Sequence, residues 1–169
     1  MSAENPHRGS GVAMLWIAWL LLLGGGWWMA DQWLARQANP NQQPVISAKG
    51  EVVLQRNRDG HYVADGEING RKVTFMVDTG ATSVALSSRL ARAIDVQRGA
   101  AIQVETANGL ALGYQTRLNA VRLGDIVVHD VSAVFSDGMM DDIVLLGMSF
   151  LKHVEFTQRA NQLTLRAVR

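Results

Sequence analysis

Phe75-Met76-Val77-Asp78-Thr79-Gly80-Ala81-Thr82-Ser83 is the stretch on which the reading of this chain turns. An apolar run leads straight into an aspartate, and a small hydroxylic residue and a glycine follow it. A run of that kind is a buried strand, which puts Asp78 at the rim of a core, where a lone carboxylate is costly to desolvate. Taken alone, Asp78-Thr79-Gly80 reads as a turn in which the aspartate caps its own backbone. Two other segments keep it company. Residues 143–151, Ile-Val-Leu-Leu-Gly-Met-Ser-Phe-Leu, are a second apolar run closed by Gly147 with a helical turn behind it. Between the two, Val104-Glu105-Thr106-Ala107-Asn108-Gly109 carries the Asn-Gly pair that suits a hairpin tip.

Working outward, short runs rich in Val, Ile, Thr, Phe and Tyr alternate with Gly, Asn and Asp, which is the pattern of an all-β sandwich or barrel. Residues 51–57 and 61–68 read as a hairpin about Asp59-Gly60, and Asn69-Gly70 turns the chain again into 71–77. Further strands are expected over 101–106, 110–123, 126–135, 143–146, 154–158 and 162–168. Helix is expected only over 87–94, capped by Ser87 or Ser88, and over 148–152.

The amino-terminal fifth differs from the rest. It holds all five tryptophans, and no charged side chain stands between Arg8 and Asp31. Residues 11–30, GVAMLWIAWLLLLGGGWWMA, are long enough to cross a bilayer as a helix, which takes roughly 20 residues. Trp27, Trp28 and Trp33 suit the aromatic belt at the interface. A cleaved signal peptide would need a shorter run and a small-x-small site, which Trp27-Trp28-Met29 does not offer, although Gly24 to Gly26 weaken the helix. The expected division is a tail over 1–10, an anchor over 11–30, a polar linker over 31–48 and a folded domain over 49–169. His7, Arg8 and the terminal amine against Asp31 and Arg36 point to the domain lying outside, which in a bacterial inner membrane is the periplasmic side.

Counting excludes several chemistries. There is no cysteine, so disulfides, thiol catalysis and Cys-ligated zinc are ruled out. A net charge of +1 without a basic cluster gives no footprint for nucleic acid. His7, His61, His129 and His153 have no pair at metal-ligand spacing, and Gly147-Met148-Ser149-Phe150-Leu151 lacks the final glycine of a serine-hydrolase elbow.

Apolar residues before Asp78-Thr79-Gly80, Ala81 and Thr82 after it, a hairpin next in order and Leu145-Leu146-Gly147 near the end together resemble the retropepsin-like aspartic proteases. The likeness is closest to the bacterial members with an N-terminal membrane anchor, and it covers residues 51–169. The resemblance implies a small closed β barrel with one or two short helices, no metal and no cofactor. It implies catalytic roles for Asp78, Thr79 and Gly80, and a substrate lining of Ala81 with the flap residues Ala107, Asn108 and Gly109. Leu145, Leu146 and Gly147 would support the site. Viral members usually carry an acidic residue where Thr82 stands and an arginine where Met148 stands, so the ion pair of that arginine must be replaced or absent here.

The chemistry of such a site needs two carboxylates that share a proton across one water, because two like charges so close do not both ionise easily. This chain has one Asp-Thr-Gly, and its other aspartates lack that context. A homodimer that sets Asp78 against its copy on a two-fold axis is therefore expected, acting on a protein or peptide substrate. The alternative from another class is a catalytically inactive module of the same fold that binds peptides at the membrane. Ala81 lacks the hydroxyl that a serine there would offer the carboxylate, which points to a less acidic pH optimum.

Overall fold

The computed structural model describes residues 8–106, 109–139 and 143–168. The chain divides into two compact units, one ending at Gln37 and the other beginning at Ala38. The described residues of the first belong to one helix, α1 (Arg8–Ala38), which ends on the first residue of the second. Within it, Ala13–Ala38 is long and apolar enough to span a membrane, with a mean hydropathy of 1.5. Its five tryptophans are exposed. The helix runs past the expected 11–30 because residues 31–38 contain no glycine or proline; Pro40 then disfavours helix at the residue before it.

The second unit carries β1 (Val45–Ile46), β2 (Val52–Gln55), β3 (Val63–Ile68), β4 (Arg71–Val77), β5 (Val84–Ser87), α2 (Ser88–Ala93), β6 (Ala101–Thr106), β7 (Gly109–Leu123), β8 (Ile126–Ser136), β9 (Ile143–Leu146), α3 (Met148–Leu151), β10 (Val154–Arg159) and β11 (Gln162–Ala167). Seven strands form one sheet in the order β3-β4-β9-β5-β8-β7-β6. Glu67 and Ile68 of β3 also pair with Arg122 and Val121 of β7, and this closes the sheet on itself. A barrel follows, filled by alternate side chains; Phe75, Leu86, Leu118, Leu146 and Phe150 have no exposed surface. Burying each such side chain stabilises the fold by roughly 1.5–3 kcal/mol.

The expected turn at Asn69-Gly70 forms with positive φ at both residues, 52° and 79°. It sets the register in which Val63 pairs with Met76 and Ile68 with Arg71. Ser87 caps α2 by accepting from the Leu90 amide.

Two parts of the fold differ from expectation. The strand at 52–55 does not form a hairpin with β3. It joins β1 and the last strand in a separate sheet, β1-β2-β11-β10, where Leu54 pairs with Leu163 and Val52 with Leu165. The segment 39–48 is not an unpacked linker either. Asn41 is buried, donates from Nδ2 to the carbonyls of Gln55 (2.9 Å) and Val63 (2.7 Å), and accepts on Oδ1 from the Gln55 amide (2.7 Å). An asparagine amide offers the donor and acceptor of a peptide group. Here it fills the gap between β2 and β3 that a hairpin ladder would otherwise occupy. Asn39 donates to Asp65 as well, and Val45 pairs with Val53. The domain thus begins about ten residues earlier than its composition suggests, because a polar segment can be structural when its polar atoms find backbone partners.

Candidate active site

The site is built where β4 ends. Val73 and Phe75 hold the strand in the core, and the strand delivers Asp78 to a half-buried position at the barrel rim, with Thr79 and Gly80 exposed beyond it. The turn is held locally by the Gly80 amide, which donates to Asp78 Oδ1 at 2.9 Å. That bond orients the carboxyl group. No other hydrogen bond among the described residues reaches the carboxylate, which leaves the rest of it open to a ligand or a partner.

The late apolar segment lies against this turn. Strand β9 runs between β4, to which it is parallel (Met76 beside Leu145, Val77 beside Leu146), and β5, to which it is antiparallel (Ala85 beside Leu145). The Asp78 amide continues the ladder by donating to the Leu146 carbonyl at 3.2 Å. A side chain at Gly147 would run into the Ser83 carbonyl oxygen and come within 2.6 Å of that of Ala81, so only glycine permits the approach. Directly after it, the amides of Met148 and Ser149 donate to the carbonyls of Ala81 (2.8 Å) and Thr82 (3.0 Å). The fold thus brings Asp78, Thr79, Gly80 and Ala81 together with Leu145, Leu146 and Gly147.

Sequence reasoning missed Ser149. Its Oγ donates to the Ser132 carbonyl (2.7 Å) and accepts from the Val84 amide (3.0 Å), tying the exit of the Asp78 turn to α3 and β8. Two backbone amides and one hydroxyl thus brace the turn. The only signal in the sequence is a serine in the first turn of a short helix, and that signal is too common to single it out.

The flap segment is a hairpin of β6 and β7, in which Thr106 pairs with Gly109. Ala107 and Asn108 lie outside the described residues. Gly109 takes φ +102°, a conformation L side chains rarely adopt. Leu110 and Leu112 beyond it are 75% and 57% exposed, an apolar surface with nothing among the described residues to cover it. Ser136 Oγ donates to the Leu112 carbonyl at 2.8 Å and accepts from the Gly138 amide, fixing the root of the hairpin to the end of β8.

Asp78 is half-buried in the single chain, and Thr79 and Gly80 beside it are exposed. A cavity of about 670 Å³ is lined by Ser83, Arg98, Arg117 and Ser132 among others, and Asp78 is not among its walls. No cluster of His, Asp or Glu among the described residues is arranged to hold a metal.

Comparison with known proteins agrees with this geometry. The family model described as "gag-polyprotein putative aspartyl protease" matches residues 64–153. An uncharacterized protein of Sinorhizobium sp. is 36% identical over 135 residues, covering 75% of this chain and 58% of the relative. Another, from Rickettsia prowazekii, is 33% identical over 106 residues, covering 61% and 45%. The chain thus spans about half the length of these curated relatives. The crystal structure of a retropepsin-like aspartic protease from Rickettsia conorii superposes with a TM-score of 0.59 at 32% identity, over 69% of this chain and 90% of that one. On the matched family model and the shared barrel, this chain belongs to the retropepsin-like aspartic protease family.

Proposed function

We propose that this protein is an aspartic endopeptidase whose attacking water is activated by two Asp78 carboxylates, one from each chain of a homodimer. The observation that carries the reading is the one-sided construction of the site. Asp78 is braced from below by β9, Gly147 and Ser149, while Thr79 and the open side of the carboxylate have no wall opposite among the described residues. A second copy on a two-fold axis supplies both the missing carboxylate and the missing wall.

In the proposed reaction the ionised carboxylate takes a proton from the water, whose oxygen attacks the peptide carbonyl carbon. The protonated carboxyl of the other chain donates to the carbonyl oxygen. Collapse of the tetrahedral species breaks the C–N bond as the carboxyl that took the water's proton passes it to the amide nitrogen and the other carboxylate recovers its proton from the former carbonyl oxygen, so the pair returns to its shared-proton state. Thr79 holds the two turns together, and Gly80 orients Asp78 through its amide. Ala81 and the flap residues Ala107, Asn108 and Gly109 line the substrate, with Leu110 and Leu112 giving that cover an apolar character. Leu145, Leu146 and Gly147 keep the turn in place. The membrane is engaged through residues 11–30, with the catalytic domain on the periplasmic face of an inner membrane, and no cofactor or nucleic acid takes part.

The test is cleavage of a denatured protein mixture by the full-length chain in detergent across roughly pH 4–7, with fragments read by mass spectrometry. Asp78→Asn is expected to lower the rate by at least about 100-fold, the scale of a lost acid–base group. Equal cleavage by both proteins would show that Asp78 is not the catalytic group, and none by a wild type shown to be dimeric would replace this reading with a peptide-binding module.

A further inference from the structure

Helix α1 ends at Ala38, where the second unit begins, and from that residue on the chain is fastened to the β domain. The Ala38 carbonyl accepts from Asn57 Nδ2 at 3.0 Å, and Asn39 Nδ2 donates to the Asp65 carboxylate at 2.6 Å. Asn41 bridges to Ala64 in parallel, and its carbonyl accepts from the Asp65 amide at 3.1 Å. A flexible tether is a coil whose polar groups are left to water. Here those groups find partners inside the domain, so no tether separates the apolar helix from the domain that carries Asp78.

This fastening limits how far Asp78 can stand from the end of the helix. From Ala38, Asn39 and Pro40 lead to Asn41, which lies beside Ala64. Ala64 pairs with Phe75, and Met76 and Val77 lead on to Asp78. An extended residue advances at most roughly 3.5 Å and paired strands stand about 5 Å apart, so Asp78 lies no more than about 30 Å from Ala38. The helical residues 31–38 add at most about 12 Å at a rise of 1.5 Å each. At any angle between helix and domain, Asp78 therefore stays within about 40 Å of the segment 11–30.

We propose that the substrates are proteins anchored in the same membrane, cut in extended segments that stay within about 40 Å of the bilayer, and that the absence of a tether sets this limit. This deepens the endopeptidase reading and rests on it and on anchorage through residues 11–30. A bond within about 12 extended residues of its own membrane span lies always inside that layer, at roughly 3.3 Å per residue. Sharing the membrane also raises its effective concentration at the site. A bond held high on a rigid stalk has neither advantage.

The test uses a single-span reporter carrying the sequence that is cut most readily in the denatured protein mixture. That sequence is placed directly after the span, or beyond a rigid helical spacer of about 60 residues, roughly 90 Å long. Full-length protease and reporter share the same liposomes. The near reporter should be cut at least about tenfold faster than the far one, and dissolving the liposomes in detergent should bring the two rates together. Inserting about 30 Gly/Ser residues between Gln37 and Ala38 supplies a tether, and should raise cutting of the far reporter in liposomes to within about threefold of the near one. Equal rates in liposomes, or a gap that survives either detergent or the inserted tether, would overturn the inference and leave the endopeptidase reading standing. So would a protease that is active on the denatured mixture and cuts neither reporter. A wild type that cuts neither the mixture nor the reporters overturns both.

Discussion

Asp78 occupies its place because the residues around it leave no other. Gly147 is the most constrained of them, since a methyl group there meets the backbone oxygens of both Ser83 and Ala81. Gly147→Ala should destabilise the fold by about 2 kcal/mol, the scale of an overpacked contact, and lower activity further by displacing the turn. Denaturant unfolding beside a cleavage assay checks both, and a variant of wild-type stability would contradict the packing. Ala81→Ser adds a hydroxyl donor beside the charged form of the carboxylate, so the acid limb of the pH–rate profile should move to lower pH. An unchanged profile would show that the hydroxyl does not reach Asp78, and a move towards neutral would contradict the argument. The place of Asp78 was legible in the sequence because an apolar strand that runs into Asp-Thr-Gly sets a carboxylate at the edge of a core, where desolvation opposes it. That of Ser149 was not, because its value lies in a carbonyl and an amide from distant elements, Ser132 and Val84.

At the scale of elements, local pattern located most strands and long-range pairing escaped it. Asn69-Gly70 fixed the β3–β4 hairpin because the conformation of its turn is written in two residues. Asp59-Gly60 offered a similar signal and misled, because β2 finds its partner in β11, more than a hundred residues away. The short strand β5 was missed for a related reason. All four of its residues are buried, so it lacks the alternation that marks a half-exposed strand. Asn41 is where the two levels meet. Asn41→Ala leaves the amide and carbonyl of Gln55 and the carbonyl of Val63 without their partner. The expected cost is about 2 kcal/mol in the unfolding free energy. A truncation starting at residue 49 should lose at least as much, and a fragment 49–169 as stable as 38–169 would refute the clamp.

For the molecule as a whole, the apolar helix and the proposed half-site fit one purpose. Confining two chains to one surface raises their effective concentration, so a dimer too weak to hold in dilute solution can assemble there. The central claim is that each active site takes one Asp78 from each of two chains, and mixing tests it directly. Wild-type and Asp78→Asn chains are combined in equal amounts at fixed total concentration, allowed to exchange in detergent, and assayed for cleavage. If every site needs two intact aspartates, only wild-type pairs work, and the rate falls to about a quarter of that of pure wild type, since random pairing joins two intact chains about one time in four. A rate of about half would mean that each chain carries a complete site of its own, and the account of a shared site on a two-fold axis would be wrong.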